Sequence, residues 1–143
     1  MSVFSAVEKK KAICYACGMY EIRVTADFAA AHFLKDYNGK CENLHGHNYK
    51  VYAHVSGSEL NEGGMLLDFT ALKGALREVC AELDHTNLND MSVFCQNPSA
   101  ERIAKYIAGE LLARVPELQS ARVKLSAVDV FETETSRARF IPD

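Results

Sequence analysis

Two helix-period segments stand back to back between the second and third stretches of two-residue alternation. That order excludes most of the folds open to a 143-residue chain. Apolar residues at every second position line one face of a strand, whereas spacings of three and four line one face of a helix. Tyr20, Ile22, Val24 and Ala26 alternate with Glu21, Arg23, Thr25 and Asp27, and the strand they predict runs on through Phe28 toward His32. Asn38-Gly39 signals a turn. Tyr49, Val51, Ala53 and Val55 then alternate with Lys50, Tyr52, His54 and Ser56, which predicts a second strand antiparallel to the first. A polar turn over 56–64 and a short extended piece at Met65 to Leu67 follow. Asp68 is placed to cap a helix with the stripe Leu72, Leu76, Val79, Cys80 and Leu83. Residues 84–97 read as loop. Pro98 at a first helical position, with Asn97 as its cap, predicts a second helix with the stripe Ile103, Tyr106, Ile107 and Leu111. Val123, Leu125 and Ala127 mark a third strand, and a fourth short one is expected near Arg137 to Ile141. Two strands, two helices and two strands make an α+β fold: an antiparallel sheet with helices on one face.

Composition narrows the function. The formal net charge is -3, and the cations are scattered apart from Lys9-Lys10-Lys11, which argues against a nucleic-acid binder with a basic face. No apolar run is long enough to span a bilayer, and no signal peptide is expected. Residues 1–18 read as an extension and 19–143 as the domain. The extension holds Cys14-x-x-Cys17, which without a second such pair reads as two free thiols. Five cysteines without a framework spacing suit a reducing, cytoplasmic setting.

Chemistry concentrates in Cys41-Glu42-Asn43-Leu44-His45-Gly46-His47. Residues two apart in a strand project to one side, so His45 and His47 project together, with Gly46 expected to allow close approach between them. Hairpin pairing would bring His32 beside them. Three convergent imidazoles suit zinc and leave its fourth position open. Cys41 could complete a closed site as fourth ligand, or stand near an open one as an acid/base thiolate. Asp84-His85 opens the loop after the first helix, where a carboxylate can orient an imidazole. Glu132 ends the third strand as a possible acceptor for ligand N–H groups. Glu101, near the start of the second helix, suits the helix dipole and is a further substrate-binding candidate.

Together these segments resemble the family of 6-pyruvoyltetrahydropterin and 6-carboxytetrahydropterin synthases. The resemblance rests on Phe28-Ala29-Ala30-Ala31-His32, Gly39-Lys40-Cys41, Leu44-His45-Gly46-His47, Leu67-Asp68-Phe69, Leu83-Asp84-His85, Leu88-Asn89-Asp90, Asn97-Pro98-Ser99-Ala100-Glu101 and Glu132-Thr133, in family order. It implies a tunnelling-fold (T-fold) subunit: a four-stranded antiparallel sheet with two helices inserted after the second strand. It also implies a homo-oligomer, trimer or hexamer, with active sites between subunits. Zinc would be held by His32, His45 and His47. Cys41 would abstract a proton, Asp84 with His85 would form its partner dyad, and Glu132 would anchor the pterin ring. The substrate class implied is a dihydropterin triphosphate. Three residues separate Cys41 from His45, a short interval that resembles the carboxypterin branch of the queuosine (7-deazaguanine) pathway. The triphosphate-binding cations are not assigned; Lys40 and Arg102 are candidates, each read first as solvated surface charge.

Overall fold

The computed structural model describes residues 18–95 and 97–143, so the Cys14 and Cys17 pair lies outside the described residues. Strands β1 (Tyr20–His32) and β2 (His45–Gly57) are followed by helices α1 (Phe69–Leu83) and α2 (Ala100–Arg114), then by β3 (Lys124–Thr133) and β4 (Ser136–Phe140). The four strands form one antiparallel sheet in chain order, β1-β2-β3-β4. Both helices lie on one face, α1 against β1 and α2 against β3 and β4. Their stripes make the core: Leu72, Leu76, Leu83, Ile103, Ile107 and Leu111 are fully buried. Each such side chain contributes about 1.5–3 kcal/mol through the apolar surface it removes from water.

Asp68 caps α1 as expected, its carboxylate accepting from the Thr70 N–H at 2.8 Å. Three local expectations need correction. Met65 to Leu67, expected as a short extended piece, is not extended. It is a bend whose Leu66 and Leu67 are buried, and whose Leu66 carbonyl is held by the Arg122 guanidinium at 2.8 Å. Helix α2 is capped by Ser99, whose hydroxyl accepts from the Arg102 N–H, and not by Asn97. Asn97 is unavailable as a cap because its carboxamide bonds Lys35. The stretch read as plain loop holds two 3-10 turns, Leu88–Asp90 and Ser92–Phe94.

The opposite, helix-free face carries a polar chain across all four strands. The His54 ring on β2 meets Glu21 of β1 at 3.4 Å and Asp129 of β3 at 2.8 Å. Arg139 of β4 donates two bonds to the Asp129 carboxylate, at 2.7 and 2.8 Å. Burial alone would push the Asp129 pKa up. The bonds from Arg139 and His54 outweigh it and hold the carboxyl below its ordinary value.

Candidate active site

Register brings the metal candidates together. His32 and His45 are direct partners across β1 and β2, and Ala30 faces His47. Alternation places all three imidazoles on the helix side, beside the stacked rings of Phe28 and Tyr49. The His32 Nδ1 bonds the Pro98 carbonyl at 2.8 Å, and the His45 Nδ1 bonds the Asn43 carbonyl at 2.7 Å. A carbonyl only accepts, so each Nδ1 carries the proton and each Nε2 presents a lone pair. Those two Nε2 atoms lie 3.1 Å apart. Facing lone pairs at that distance repel unless a cation lies between them. Ligand nitrogens around tetrahedral zinc lie about 3.3 Å apart.

The ligand atoms of His32, His45 and His47 all fall within 4.8 Å of one another, and no other group of three or more forms among the described residues. Burial lowers the His47 pKa, Glu132 opposes this, and His32 and His45 add to it. The net shift favours the neutral ring that a metal needs. The donor set therefore fits a divalent ion. Cys41 stands outside the group, so the closed three-His, one-Cys arrangement is not formed. Gly46 does not lie between the imidazoles. It faces the helix-free side, where a Cβ would meet only the Ala30 carbonyl, at 3.4 Å.

Cys41, Glu101 and Glu132 share one cavity of about 270 Å³, walled also by Tyr37 and Ser99. Cys41 is a half-buried free thiol on the 3-10 turn Lys40–Glu42. The register of β3 with β4 shifts between Phe131 and Thr133, a bulge at Glu132. Bulges re-aim side chains, and here the Glu132 carboxylate comes within 3.8 Å of the His32 Nε2. Glu132 thus links the imidazole group to the cavity of Cys41.

Asp84 and His85 form the expected dyad, with the Asp84 Oδ2 2.6 Å from the His85 Nδ1. The other carboxylate oxygen accepts from the Ala29 N–H at 2.8 Å. That backbone bond, with the His85 bond second, holds the Asp84 carboxyl below its ordinary value. His85 adopts φ 55°, an uncommon conformation for a residue with a Cβ. Its backbone N–H is tied to the Ala29 carbonyl at 2.6 Å. The imidazole is exposed and lines a second cavity, of about 550 Å³, beside Ala29, Ala31, Gly46 and His47. Within one chain His85 and Cys41 therefore line separate cavities.

Sequence reasoning missed the strand-like use of Asn89 and Asn97, although both stood in motifs already singled out. The Arg102 Nη1 donates to the carbonyls of Phe94 and Asn97, at 2.8 and 3.2 Å.

Residues 21–142 match the family model described as 6-pyruvoyl tetrahydropterin synthase. The chain is 39% identical over 128 residues to a 6-carboxy-5,6,7,8-tetrahydropterin synthase of Synechocystis sp., covering 85% of this chain and 93% of that one. It is 35% identical over 122 residues to the protein of the same description in Bacillus subtilis, covering 81% and 80%. The solved 6-pyruvoyl tetrahydropterin synthase of Caenorhabditis elegans superposes with a TM-score of 0.77 at 25% identity, over 88% of this chain and 97% of that one.

Proposed function

We propose, from the premise that the chain belongs to the 6-pyruvoyl tetrahydropterin synthase family, that it is a 6-carboxy-5,6,7,8-tetrahydropterin synthase. The reaction converts 7,8-dihydroneopterin triphosphate and one water to the carboxypterin, acetaldehyde and triphosphate. The observation that carries this reading is Glu132, whose carboxylate reaches both His32 and the cavity of Cys41.

His32, His45 and His47 would hold zinc. When bound, zinc would acidify the hydroxyls of the substrate side chain. Glu132 accepts from the ring N–H and amino group of the pterin, two adjacent donors that match one carboxylate, and Glu101 stands in the same cavity as a second acceptor. Cys41 takes a proton from the side chain. His85, held through its Nδ1 by Asp84, moves the partner proton at its Nε2.

The separation of Cys41 from the dyad within one chain supports an oligomer in which a neighbouring copy brings His85 to this cavity. Among the described residues, the outer edge of β1 is capped by its own chain only at Ala29 and beyond. Its earlier residues and the outer edge of β4 are open among the described residues and could pair with a second copy.

The test is incubation of the zinc-loaded protein with 7,8-dihydroneopterin triphosphate and identification of products by mass spectrometry. Carboxypterin and acetaldehyde are expected from the wild type and none from Cys41→Ala, which should retain its metal. A pyruvoyl pterin product would instead move the protein to the pyruvoyl branch of the family. Absence of turnover with metal bound would sink the catalytic reading.

A further inference from the structure

Asn89 and Asn97 extend the sheet where its backbone stops. The outer edge of β1 is covered from Ala29 onward by the segment after α1. His85 N–H bonds the Ala29 carbonyl at 2.6 Å, and the Ala31 N–H bonds the Thr86 carbonyl at 2.9 Å. Beyond Thr86 the chain enters its 3-10 turns, and two carboxamides take over the pairing. The Phe33 N–H donates to the Asn89 Oδ1 at 2.8 Å, and the Asn89 Nδ2 donates to the Phe33 carbonyl at 2.9 Å. Two residues on, the Lys35 N–H donates to the Asn97 Oδ1 at 2.8 Å, and the Asn97 Nδ2 donates to the Lys35 carbonyl at 3.4 Å. A carboxamide offers an acceptor and donors side by side, as a paired strand does.

The residue between these two clamps is Leu34, whose N–H donates to the Cys41 carbonyl at 2.7 Å. We propose that Asn89 and Asn97 are positioning residues for Cys41: by pairing Phe33 and Lys35 as a surrogate strand, they fix the Leu34 N–H that tethers the reactive thiol's backbone. Asn97 acts from the same loop whose Pro98 carbonyl orients His32, so one short segment sets both the metal ligand and the thiol. An aspartate cannot substitute fully. Its second oxygen would face the Phe33 or Lys35 carbonyl, acceptor against acceptor, and one bond of each pair would be lost.

The proposal rests on the reading of Cys41 as the proton-transferring thiol, and its test has an arm that needs no substrate. Asn97→Ala and Asn89→Ala should lower kcat about ten- to a hundredfold, the cost of misplacing a reacting group by roughly an ångström, with KM and zinc content within about twofold of wild type. Asn97→Asp, which keeps the Lys35 N–H bond, should lose less and serves if the alanine variant does not fold. Independently, alkylation of Cys41 by iodoacetamide, read by peptide mass spectrometry against Cys80 and Cys95, should quicken about threefold or more in the variants as the tether loosens. Variants that melt earlier but keep the wild-type kcat and Cys41 alkylation rate would overturn the proposal. If the wild type makes no product, the reading of the function fails, and the alkylation rates still decide whether the clamp positions Cys41.

Discussion

Strand β2 holds histidines of two kinds. His45 and His47 face the helices beside His32, with no carboxylate among the described residues within hydrogen-bonding distance and with the Nε2 atoms of His32 and His45 turned on one another at 3.1 Å. His54, seven residues beyond His47, faces the other side and meets Glu21 and Asp129. The residue type is the same and the environment decides its use. An imidazole facing carboxylates can donate to them, whereas imidazoles whose Nε2 atoms face one another are arranged to share a cation. Register is what separates them: His45 opposes His32 on β1, while His54 opposes Arg23 and stands diagonal to Asp129.

The largest expected effect breaks the first group alone. His47→Ala should lower zinc affinity by more than the roughly 10–100-fold that loss of an outer-shell partner costs, and activity should fall with it. Chelator competition and metal content by mass spectrometry read the loss. His54→Gln, on the other face, should leave zinc affinity unchanged. An equal loss from both variants would erase the distinction between the two groups.

The second group is tested at Arg139. Removing its guanidinium as Arg139→Met leaves the buried Asp129 carboxylate short of its main partner. That should cost about 2–3 kcal/mol in urea unfolding, less than for a fully buried pair because water screens Arg139, without change in zinc content. The pH dependence has a defined sign. The folded-state pKa of Asp129 is lowered, so its contribution to stability is present above the ordinary carboxylate value of about 3.9 and is lost as pH falls through the lowered one. Without Arg139 only His54 and Arg137 oppose the upward push of burial, and acid unfolding followed by circular dichroism should move to higher pH. An unchanged acid midpoint would mean that the cross-sheet chain contributes little.

The two groups also differed in how far they could be read from the residues. Alternation and the His45-Gly46-His47 spacing state which side chains share a face, and hairpin pairing supplies His32, so the imidazole group followed from local rules. His54 could be placed on the far face by the same rule, but its partners come from β1, β3 and β4, and no local pattern links Glu21, Asp129 and Arg139. The Asn97-Pro98 pair carried a real helix signal that tertiary contacts overrode. Once its carboxamide pairs Lys35 and the Pro98 carbonyl takes His32, the helix must start later, at a cap supplied by Ser99. Cys41 and the Asp84-His85 pair were each legible as candidate reactive groups. Their placement in separate cavities depends on the path of the loop after α1, which no periodicity encodes.

The smallest expected effect lies between the two groups, at Tyr49. Its ring is fully buried, stacked on Phe28 at 4.8 Å and edge-on to His32 and His47. Its hydroxyl has no hydrogen-bond partner among the described residues. Burial, with Glu132 adding to it, pushes the phenol pKa well above its ordinary value, so the group stays neutral at any working pH. A buried hydroxyl without a partner costs about 1–3 kcal/mol, and Tyr49→Phe removes it while keeping the stacked ring. The variant should therefore be as stable as the wild type or up to about 1 kcal/mol more stable, with zinc affinity unchanged. Urea unfolding of the metal-free and zinc-loaded forms separates the possibilities. A loss of stability confined to the loaded form would show that the hydroxyl engages only when the imidazoles are bridged. Tyr49 would then belong with His45 and His47, and not with the packed rings of the core.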